Sequence, residues 1–565
     1  MGASYKKQMK WYLRILLTVI AAFFFNLAHP NILFEDGVSF FAFIALIPIF
    51  VSIRYSSISF SFFSGLLYGS LSYGLLFSWI GTYSSYAMII GVIAFSLLFG
   101  LLFIALKACD LFFKNVSFYI MALLWCIFEY LKTKGFLGFS YGILGYALWK
   151  SPLLIQCAKF GGVWLLSALC AFTSAVSASF LCSIYDAFPA LPSSPSKKIS
   201  AILYILKKRF LPVFILLIIS FAAIVLFGFH SINKTQGPLR KIPVLCVQNN
   251  TDSNKYGIGV YIKDVSKLIS LTQGGLREHP ETSIVIWPET AVVPPIEMHY
   301  SNGREDDRYD MIESLLEFVQ ETGKCFVIGN QRCVDGEGPY PDDFNACLVF
   351  DSKLENVIPP KPQVYAKIHL VPFTEYFPYD KAFPALYEKL LDGDTHLWTP
   401  GQEKNVFNLR GINFSTPICF EDTFGNLCRS FVNNGADCLF NLSNDSWSAK
   451  RFCQKQHLSM AVFRSVENEV PSARSTASGV TCFIDSKGRI TNEAEQFCEA
   501  YIFHEVEVPM QKNQTFYTRF GDWIPILEIT LLLIMLSFKM IRLMIKKILI
   551  CTSKPVEKIG EKGVK

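Results

Sequence analysis

The feature that most constrains this chain is a series of apolar segments, each about long enough to cross a lipid bilayer. A helix needs about 20 apolar residues to span the hydrocarbon core. We expect about eight spans, near residues 11–27, 38–53, 58–80, 86–106, 117–131, 157–185, 211–230 and 523–543. Apolar residues make up 52% of the sequence, which is too high for an ordinary soluble protein. The sequence therefore predicts a polytopic α-helical membrane domain.

The basic residues predict how these spans are oriented, because loops rich in Lys and Arg stay in the cytoplasm. Lysines precede the first span, Arg54 follows the second, and residues 197–209 carry five more basic side chains. With both termini in the cytoplasm, all of these fall on one side and residues 235–515 are exported. Lys132 and Lys134 fall on the other side, against the rule. The net charge of +6 is thus explained by topology, and no nucleic-acid partner is expected.

Residues 235–515 differ from the rest because short apolar runs alternate there with helical patterns. Continuous apolar strands indicate a sheet that is covered on both faces, and alternation with helices indicates α/β layers. Helices are expected near residues 256–274, 306–322, 422–433 and 456–468. Strands are expected at residues 242–247, 283–287, 325–329, 346–350, 412–418, 437–442, 479–484 and 500–506.

Cys419 directly follows a predicted buried strand, residues 411–418. A helix is predicted to begin shortly after it, near Asp422. Backbone N–H groups in the first turn of a helix favour negative charge, so they would favour a thiolate and stabilise an oxyanion. The competing interpretation is a small buried core residue, which is the commoner fate of a cysteine at the end of a strand.

Two further charged positions border apolar strands. Glu289 follows the run 284–287 directly after Pro288, at the edge of a sheet where α/β proteins bind ligands. Lys367 has apolar neighbours on both sides, and Glu375 follows after a turn. Burying a lysine is costly unless it is paired. A surface loop for Glu289 and a solvent-facing strand edge for Lys367 are the alternatives.

Three stretches together carry a resemblance: Trp287-Pro288-Glu289, Lys367-Ile-His-Leu-Val-Pro-Phe-Thr-Glu375 and Ile418-Cys419-Phe420-Glu421. They resemble the Glu-Lys-Cys triad of the carbon–nitrogen hydrolase (nitrilase) superfamily. With spans on both sides and the stretch Ser443-Asn-Asp-Ser-Trp447, the chain resembles the apolipoprotein N-acyltransferase family in particular. The resemblance implies a nitrilase-like αββα sandwich on the periplasmic side of a bacterial inner membrane.

The resemblance also implies a reaction. The acyl donor would be a membrane phospholipid, and the acceptor would be the α-amino group of an S-diacylglyceryl-cysteine at the N-terminus of an apolipoprotein. Glu289 would act as general base on Cys419, the thiol would carry the acyl chain as a thioester, and Lys367 would hold the oxyanion. Glu375 would orient Lys367 or share protons with it. No metal or other cofactor is expected.

Supporting roles are expected for five more residues, namely Phe420, Glu421, Tyr256, Asn444 and Trp447. Phe420 stands where well-known family members have Tyr, and Tyr256 stands where Trp is usual. Glu421 is interpreted either as a loop anchor or as a helix N-terminal carboxylate. Asn444 and Trp447 are interpreted as pocket lining or as a structural turn. His457 and Arg474 are expected to brace the domain.

The predicted domains are residues 1–234 (membrane helices), 235–515 (catalytic domain) and 516–565 (last span and basic tail). Two other functions are consistent with parts of this pattern. One is a membrane-tethered nitrilase-type amidase that uses water as acceptor. The other is a non-catalytic membrane protein that handles lipids, for which degenerate catalytic positions would be expected.

Overall fold

The structure, a computed structural model, describes residues 9–552 apart from residues 136–137, 191–193, 235–236, 253–255, 335–341, 378, 380–381, 392–396 and 512–513. Lys6, Lys7 and residues 553–565 of the basic tail lie outside the described residues.

The part of the chain before residue 234 is helical, as its apolar runs predict, and we call it the helical region together with the last helix. Its first helices are α1 (Trp11–Ala28), α2 (Ile47–Arg54), α3 (Ile58–Leu76), α4 (Ile80–Tyr83) and α5 (Ser85–Phe113). These are followed by α6 (Ser117–Leu131), α7 (Pro152–Ile155), α8 (Ala158–Ala187), α9 (Pro195–Ile205) and α10 (Leu211–Asn233). Gly162 has a φ of 64°, which breaks the regular geometry of α8.

Small residues let these helices approach closely, as is usual in membrane bundles. A Cβ atom on Gly65 of α3 would lie 2.4 Å from the Phe99 carbonyl oxygen of α5. Five segments among the described residues are long and apolar enough to span a membrane: Trp11–Ala28, Ser85–Phe113, Ala158–Ala187, Pro195–Asn233 and Trp523–Leu549. Residues near 38–53 and 117–131 form shorter apolar helices, so the total of about eight spans stays a prediction.

Residues 239–509 form the sheet region, which contains two six-stranded sheets. Its strands are β1 (Leu239–Gln248), β2 (Ile284–Ile286), β3 (Cys325–Val334), β4 (Asp342–Asp351), β5 (Gln363–Ala366), β6 (Phe407–Leu409), β7 (Ile412–Ser415), β8 (Cys438–Ser443), β9 (Ser472–Thr476), β10 (Cys482–Ile484), β11 (Ile490–Glu493) and β12 (Ala500–Pro509). The strand orders are β12-β1-β2-β3-β4-β5 and β11-β10-β9-β8-β7-β6.

Helices cover the outer faces of both sheets. The helices of the sheet region are α11 (Ile258–Glu278), α12 (Ile296–Asn302), α13 (Tyr309–Thr322), α14 (Pro384–Leu391), α15 (Gly425–Asn433) and α16 (Arg451–Asn468). Helix α17 (Phe516–Phe520) leads into α18 (Trp523–Thr552), which rejoins the helical region.

The layering follows from strand alternation. Ile284 and Ile286 of β2 face the second sheet in one buried cluster, whereas Val285 and Trp287 pack with α13 in another. Helix α16 packs against the helical region with residues that include Leu458 and Val462. The result is the αββα sandwich expected from the sequence, with one helical layer lying against the membrane helices.

All eight predicted strand segments contain strands, and all four predicted helical segments contain helices. Four strands were not predicted: β5, β6, β9 and β11. Strand β9 has the sequence Ser-Ala-Arg-Ser-Thr and is buried throughout. A pattern of apolar residues predicts only strands that bury apolar side chains. Strand β9 is central but mostly polar, so this pattern does not predict it.

Candidate active site

Glu289, Lys367 and Glu375 converge at one edge of the sandwich, although they are separated along the chain. The Lys367 Nζ atom donates hydrogen bonds to Glu289 Oε1 at 3.0 Å and to Glu375 Oε1 at 2.8 Å. The Lys367 side chain has no solvent exposure, and that of Glu289 has 7%. Cys419 is also buried, and its thiol interacts electrostatically with Glu289 and Lys367. The structure therefore brings the three predicted catalytic residues together.

This convergence follows from the topology. Strand β2 runs parallel to β1 and β3, and Glu289 follows its carboxyl end. Strand β7 runs parallel to β8, and Cys419 follows its carboxyl end. The carboxyl edges of parallel strands are where α/β proteins place ligands. Gly329 permits the close approach of the Glu289 segment, since a Cβ atom there would lie 2.2 Å from the Pro288 carbonyl oxygen.

Two asparagines hold the Glu289 carboxylate in addition to Lys367. Asn345 Nδ2 donates to Oε1 at 2.8 Å, and the Asn444 backbone N–H donates to Oε2 at 2.9 Å. Asn345 Nδ2 also lies 3.4 Å from Glu375 Oε1. No local pattern indicates a functional role for Asn345, which directly precedes an apolar run. The sequence leaves Asn444 as pocket lining or a structural turn, and in the structure its backbone N–H holds the Glu289 carboxylate.

Lys367 carries its charge in a buried site. Burial alone would lower the pKa of Lys367, but the neighbouring carboxylates Glu289 and Glu375 outweigh it and raise the pKa well above the ordinary value. Lys367 is therefore a fixed ammonium ion, and it lies 5.9 Å from the centre of the Phe420 ring.

Cys419 sits at a strained elbow. Its φ of 53° is uncommon for a residue other than glycine, and strain of this kind clusters at functional sites. Asn441 Nδ2 fixes the elbow by donating to the carbonyl oxygens of Pro417 at 3.1 Å and Cys419 at 3.0 Å. The strand ends earlier than predicted, at Ser415, and a 3-10 turn spans Cys419–Thr423 before α15 begins.

Burial raises the pKa of the Cys419 thiol well above its ordinary value, and the negative charge of Glu289 raises it further. The thiol is therefore the resting form, although the backbone N–H groups of the following turn favour a thiolate. The reason is that desolvation and the nearby carboxylates outweigh Lys367 and the short helical turn. The thiol needs a base before it can react.

Glu421 is the anchor that joins the two loops of the site. Its carboxylate accepts hydrogen bonds from the Ile368 N–H at 2.7 Å and the His369 N–H at 3.0 Å, next to Lys367. It also accepts from the Ile418 N–H at 2.7 Å, next to Cys419. The Tyr365 hydroxyl donates to it as well, at 2.9 Å. Burial raises the pKa of Glu421 to about 7.

Glu421→Gln is expected to lower the free energy of unfolding by about 1–3 kcal/mol, since an amide NH₂ would then face N–H and O–H donors. It is also expected to slow formation of a covalent adduct on Cys419 by at least about tenfold, because both loops lose their common anchor. Thermal unfolding in detergent and intact-mass kinetics measure the two effects. Glu317→Gln, an exposed change on α13, is the matched control. Equal behaviour of the two variants would contradict the anchor role.

The remaining predicted residues differ in position. Phe420 is half-buried, and its ring lies 5.0 Å from the Phe424 ring. The Trp447 ring lies 5.1 Å from the Trp79 ring at the end of the helical region. Tyr256 is 91% exposed just before α11, so the structure does not bring it to the site. The family resemblance that implies this role compares loop positions, and it carries no information on where a loop side chain points.

A buried network of charges lies behind Cys419. His457 Nε2 contacts Asp422 Oδ1 at 2.8 Å, and His457 Nδ1 contacts Asp445 Oδ1 at 3.3 Å. Arg474 also pairs with Asp422. Burial alone would lower the pKa of His457, but Asp422 and Asp445 outweigh it and raise the pKa to about 9. This network supports the predicted bracing role of His457 and Arg474.

This pKa predicts an alkaline loss of stability. The folded-state pKa of about 9 exceeds the unfolded value of about 6.5. The stabilisation from charged His457 is therefore complete below pH 6.5 and is lost as the pH rises through 9, at about 3 kcal/mol at most. We expect the Tm of the wild-type chain to fall between pH 7 and pH 9.5, and that of His457→Gln to fall less.

His504→Gln is the control for this measurement, because burial lowers the pKa of His504 and its charge is absent throughout that range. It should keep the wild-type slope. If the slope for His457→Gln equals that of the wild-type chain, His457 is not the titrating group.

The sandwich contacts the helical region through several direct hydrogen bonds. The Trp79 indole N–H donates to Gln456 Oε1 at 3.0 Å, and Gln456 Nε2 donates to the Pro30 carbonyl oxygen at 2.9 Å. Asp522 accepts hydrogen bonds from Trp164 Nε1 at 2.8 Å and Asn426 Nδ2 at 2.9 Å, linking α8 to α15. Buried polar contacts of this kind fix the sandwich against the membrane helices.

Comparisons with known proteins cover both regions. Residues 8–176 match the apolipoprotein N-acyltransferase N-terminal domain, and residues 262–512 match the carbon–nitrogen hydrolase domain. The chain is 38% identical to apolipoprotein N-acyltransferase 1 of Treponema denticola, over 95% of this chain and 98% of that protein. The chain belongs to the apolipoprotein N-acyltransferase family. A second member, from Borreliella burgdorferi, is 26% identical over 91% of this chain and 94% of that protein.

Among solved structures, Saccharomyces cerevisiae Nit3, a member of branch 10 of the nitrilase superfamily, matches at 17% identity with a TM-score of 0.35. The matched region covers 48% of this chain and 93% of the Nit3 chain. Membership of the apolipoprotein N-acyltransferase family thus rests on similarity over nearly the whole chain, through the helical region as well as the sandwich.

Proposed function

We propose that this chain transfers an acyl chain from a membrane phospholipid to the α-amino group of an S-diacylglyceryl-cysteine at the N-terminus of an apolipoprotein. The observation that carries the proposal is the buried cluster of Glu289, Lys367 and Cys419 at the edge of the sandwich, in a chain with apolar helices at both ends. Family membership supports the reaction class.

The first step is activation of the thiol. Oε1 of Glu289 accepts hydrogen bonds from Lys367 and Asn345, and Oε2 accepts one from the Asn444 N–H. Each carboxylate oxygen offers about two lone-pair sites. Oε2 therefore has room to accept the Cys419 proton, and the ammonium of Lys367 stabilises the thiolate that forms.

The thiolate then attacks an ester carbonyl of the phospholipid. A C–S bond forms, and the negative charge that develops on the carbonyl oxygen is stabilised by Lys367 and a backbone N–H. The ester C–O bond breaks, and the lysophospholipid leaves with the proton held by Glu289. The acyl chain stays on Cys419 as a thioester.

The second half-reaction reverses these roles. The lipoprotein amine loses a proton to Glu289 and attacks the thioester, so a C–N bond forms and the C–S bond breaks. The thiolate recovers a proton from Glu289. Glu375 keeps Lys367 in place through both halves, since its Oε1 accepts from Nζ at 2.8 Å while its Oε2 accepts from the Val371 N–H at 2.9 Å.

The membrane setting fits both substrates. Burying an acyl chain in the bilayer is favourable by about 0.8 kcal/mol per CH₂, so neither substrate leaves the bilayer readily. We propose that residues 1–234 and 516–565 hold the domain of residues 235–515 on the periplasmic face of the bacterial inner membrane, with both termini in the cytoplasm. An opening toward the surrounding membrane lipids would let the acyl chains enter sideways.

The test uses the purified full-length chain with a phospholipid labelled in its acyl chain and a synthetic diacylglyceryl lipopeptide. We expect labelled N-acyl lipopeptide and lysophospholipid in equal amounts. Release of free fatty acid without N-acyl product would indicate the water-using amidase instead. Lipid binding without any product would indicate a non-catalytic lipid-handling protein, and either outcome would overturn the proposal.

A further inference from the structure

A cavity lies at the end of α8 opposite the end that contacts the sandwich. Helix α8 begins beside the sandwich, where Lys159 pairs with Glu469 at 2.7 Å, and its other end lines this cavity of about 480 Å³. This volume falls in the usual range for small-molecule sites, about 300–1,000 Å³. The cavity therefore belongs to the opposite membrane face and not to the proposed active site.

The cavity has an excess of positive charge. Arg54, Lys114, Lys208 and Arg209 line it, whereas Asp186 is the one acidic side chain among the lining residues that the structure describes. Arg54 pairs with Asp110 at 2.7 Å and also interacts electrostatically with Asp186, and Lys107 shares the Asp110 carboxylate at 2.9 Å, so the excess charge of the lining lies on Lys114, Lys208 and Arg209. Asp186 accepts a hydrogen bond from the Tyr55 hydroxyl at 2.8 Å. The lining thus keeps a net positive charge, which lies on the exposed side chains of Lys114, Lys208 and Arg209.

Apolar side chains form another part of the same wall. Phe118, Cys182 and Ile205 line the cavity together with the basic residues. A free phosphate ion would use only the cations, whereas a phospholipid also places its glycerol and first acyl carbons against an apolar wall. Basic pockets between membrane helices are typical sites for anionic lipid headgroups.

We propose that this cavity binds the headgroup of an anionic phospholipid, with the phosphate between Lys208, Arg209 and Arg54. The bound lipid is a structural ligand of the leaflet opposite the proposed active site. It is therefore distinct from the acyl donor.

The test is a lipid titration followed by native mass spectrometry of the full-length chain in neutral detergent, with Cys419→Ala in all samples to prevent acyl transfer. Dioctanoyl phosphatidylglycerol is compared with dioctanoyl phosphatidylcholine, and inorganic phosphate is added as competitor. We expect phosphatidylglycerol, whose headgroup is anionic, to bind more tightly than phosphatidylcholine, whose headgroup has no net charge. Lys208→Gln/Arg209→Gln should weaken that binding about 25-fold, because each cation close to an anionic headgroup contributes about fivefold.

Lys197→Gln/Lys198→Gln is the matched control, since it removes the same charge from α9 without touching the cavity lining. Equal weakening by both pairs, or equal affinity for the two lipids, would overturn the proposal. Full displacement by inorganic phosphate would assign the cavity to the free ion and overturn the lipid assignment.

A second variant distinguishes lipid binding inside the cavity from general electrostatic attraction of the lipid to the basic surface. Ser183 lines the cavity, so Ser183→Phe fills it while all the cations remain. Loss of phosphatidylglycerol binding in this variant supports the proposal, and unchanged binding contradicts it.

Discussion

Cys419→Ser is expected to abolish the covalent acyl-enzyme while the chain stays folded. A serine hydroxyl is far less acidic than a thiol, and the buried site already raises the pKa of the thiol well above its ordinary value. A carboxylate that can deprotonate the thiol with help from Lys367 is too weak a base for the hydroxyl. Loss of a nucleophile typically costs several orders of magnitude, so we expect a fall of at least about 10³-fold.

The measurement is intact-mass spectrometry after incubation with phospholipid alone. The wild-type chain should gain the mass of one acyl chain, and hydroxylamine should remove it, since the bond is a thioester. Cys428→Ser is the matched control, because Cys428 is also buried and also has a raised pKa but lies on α15. It should still form the adduct. An adduct that persists in Cys419→Ser would remove Cys419 from the mechanism.

The α/β layers and the residues Glu289, Lys367 and Cys419 can be predicted from the sequence, because each of them leaves a local pattern in it. The stretch Trp287-Pro288-Glu289 indicates that a buried strand ends at Pro288 and is followed by a carboxylate. Runs of apolar residues indicate most of the other strands. A buried lysine such as Lys367 stands out against its apolar neighbours. These signals depend on burial and on chain breaks, which are visible along the sequence.

Other features depend on contacts between distant segments and left no such signal. Asn345 reaches Glu289 across 56 positions, and Glu421 joins the loops of Lys367 and Cys419. Strand β9 is central but polar. The raised pKa of the Cys419 thiol depends on burial and on carboxylates from several loops, which local helix geometry does not reveal.

Glu289→Gln is expected to slow acyl-enzyme formation at pH 7 by about 10²–10⁴-fold, the usual contribution of a general base. The amide cannot take the thiol proton. It also places an NH₂ group against either Lys367 and Asn345 or the Asn444 N–H, depending on its orientation. The measurement is the rate of adduct formation on Cys419 after mixing with phospholipid, and near-normal acylation would refute the role of Glu289 as base.

Glu375→Gln distinguishes proton transfer from charge balance, since Glu289 and Glu375 both pair with Lys367. If Glu289 served only to hold Lys367, the two variants would lose the same activity. A base role predicts a larger loss in Glu289→Gln and a different pH profile. Because the pKa of Cys419 lies well above its ordinary value, the thiolate fraction without a base should rise about tenfold per pH unit. Acylation by Glu289→Gln should therefore recover steeply between pH 7 and pH 9, whereas acylation by Glu375→Gln, which keeps the base, should follow the flatter wild-type profile.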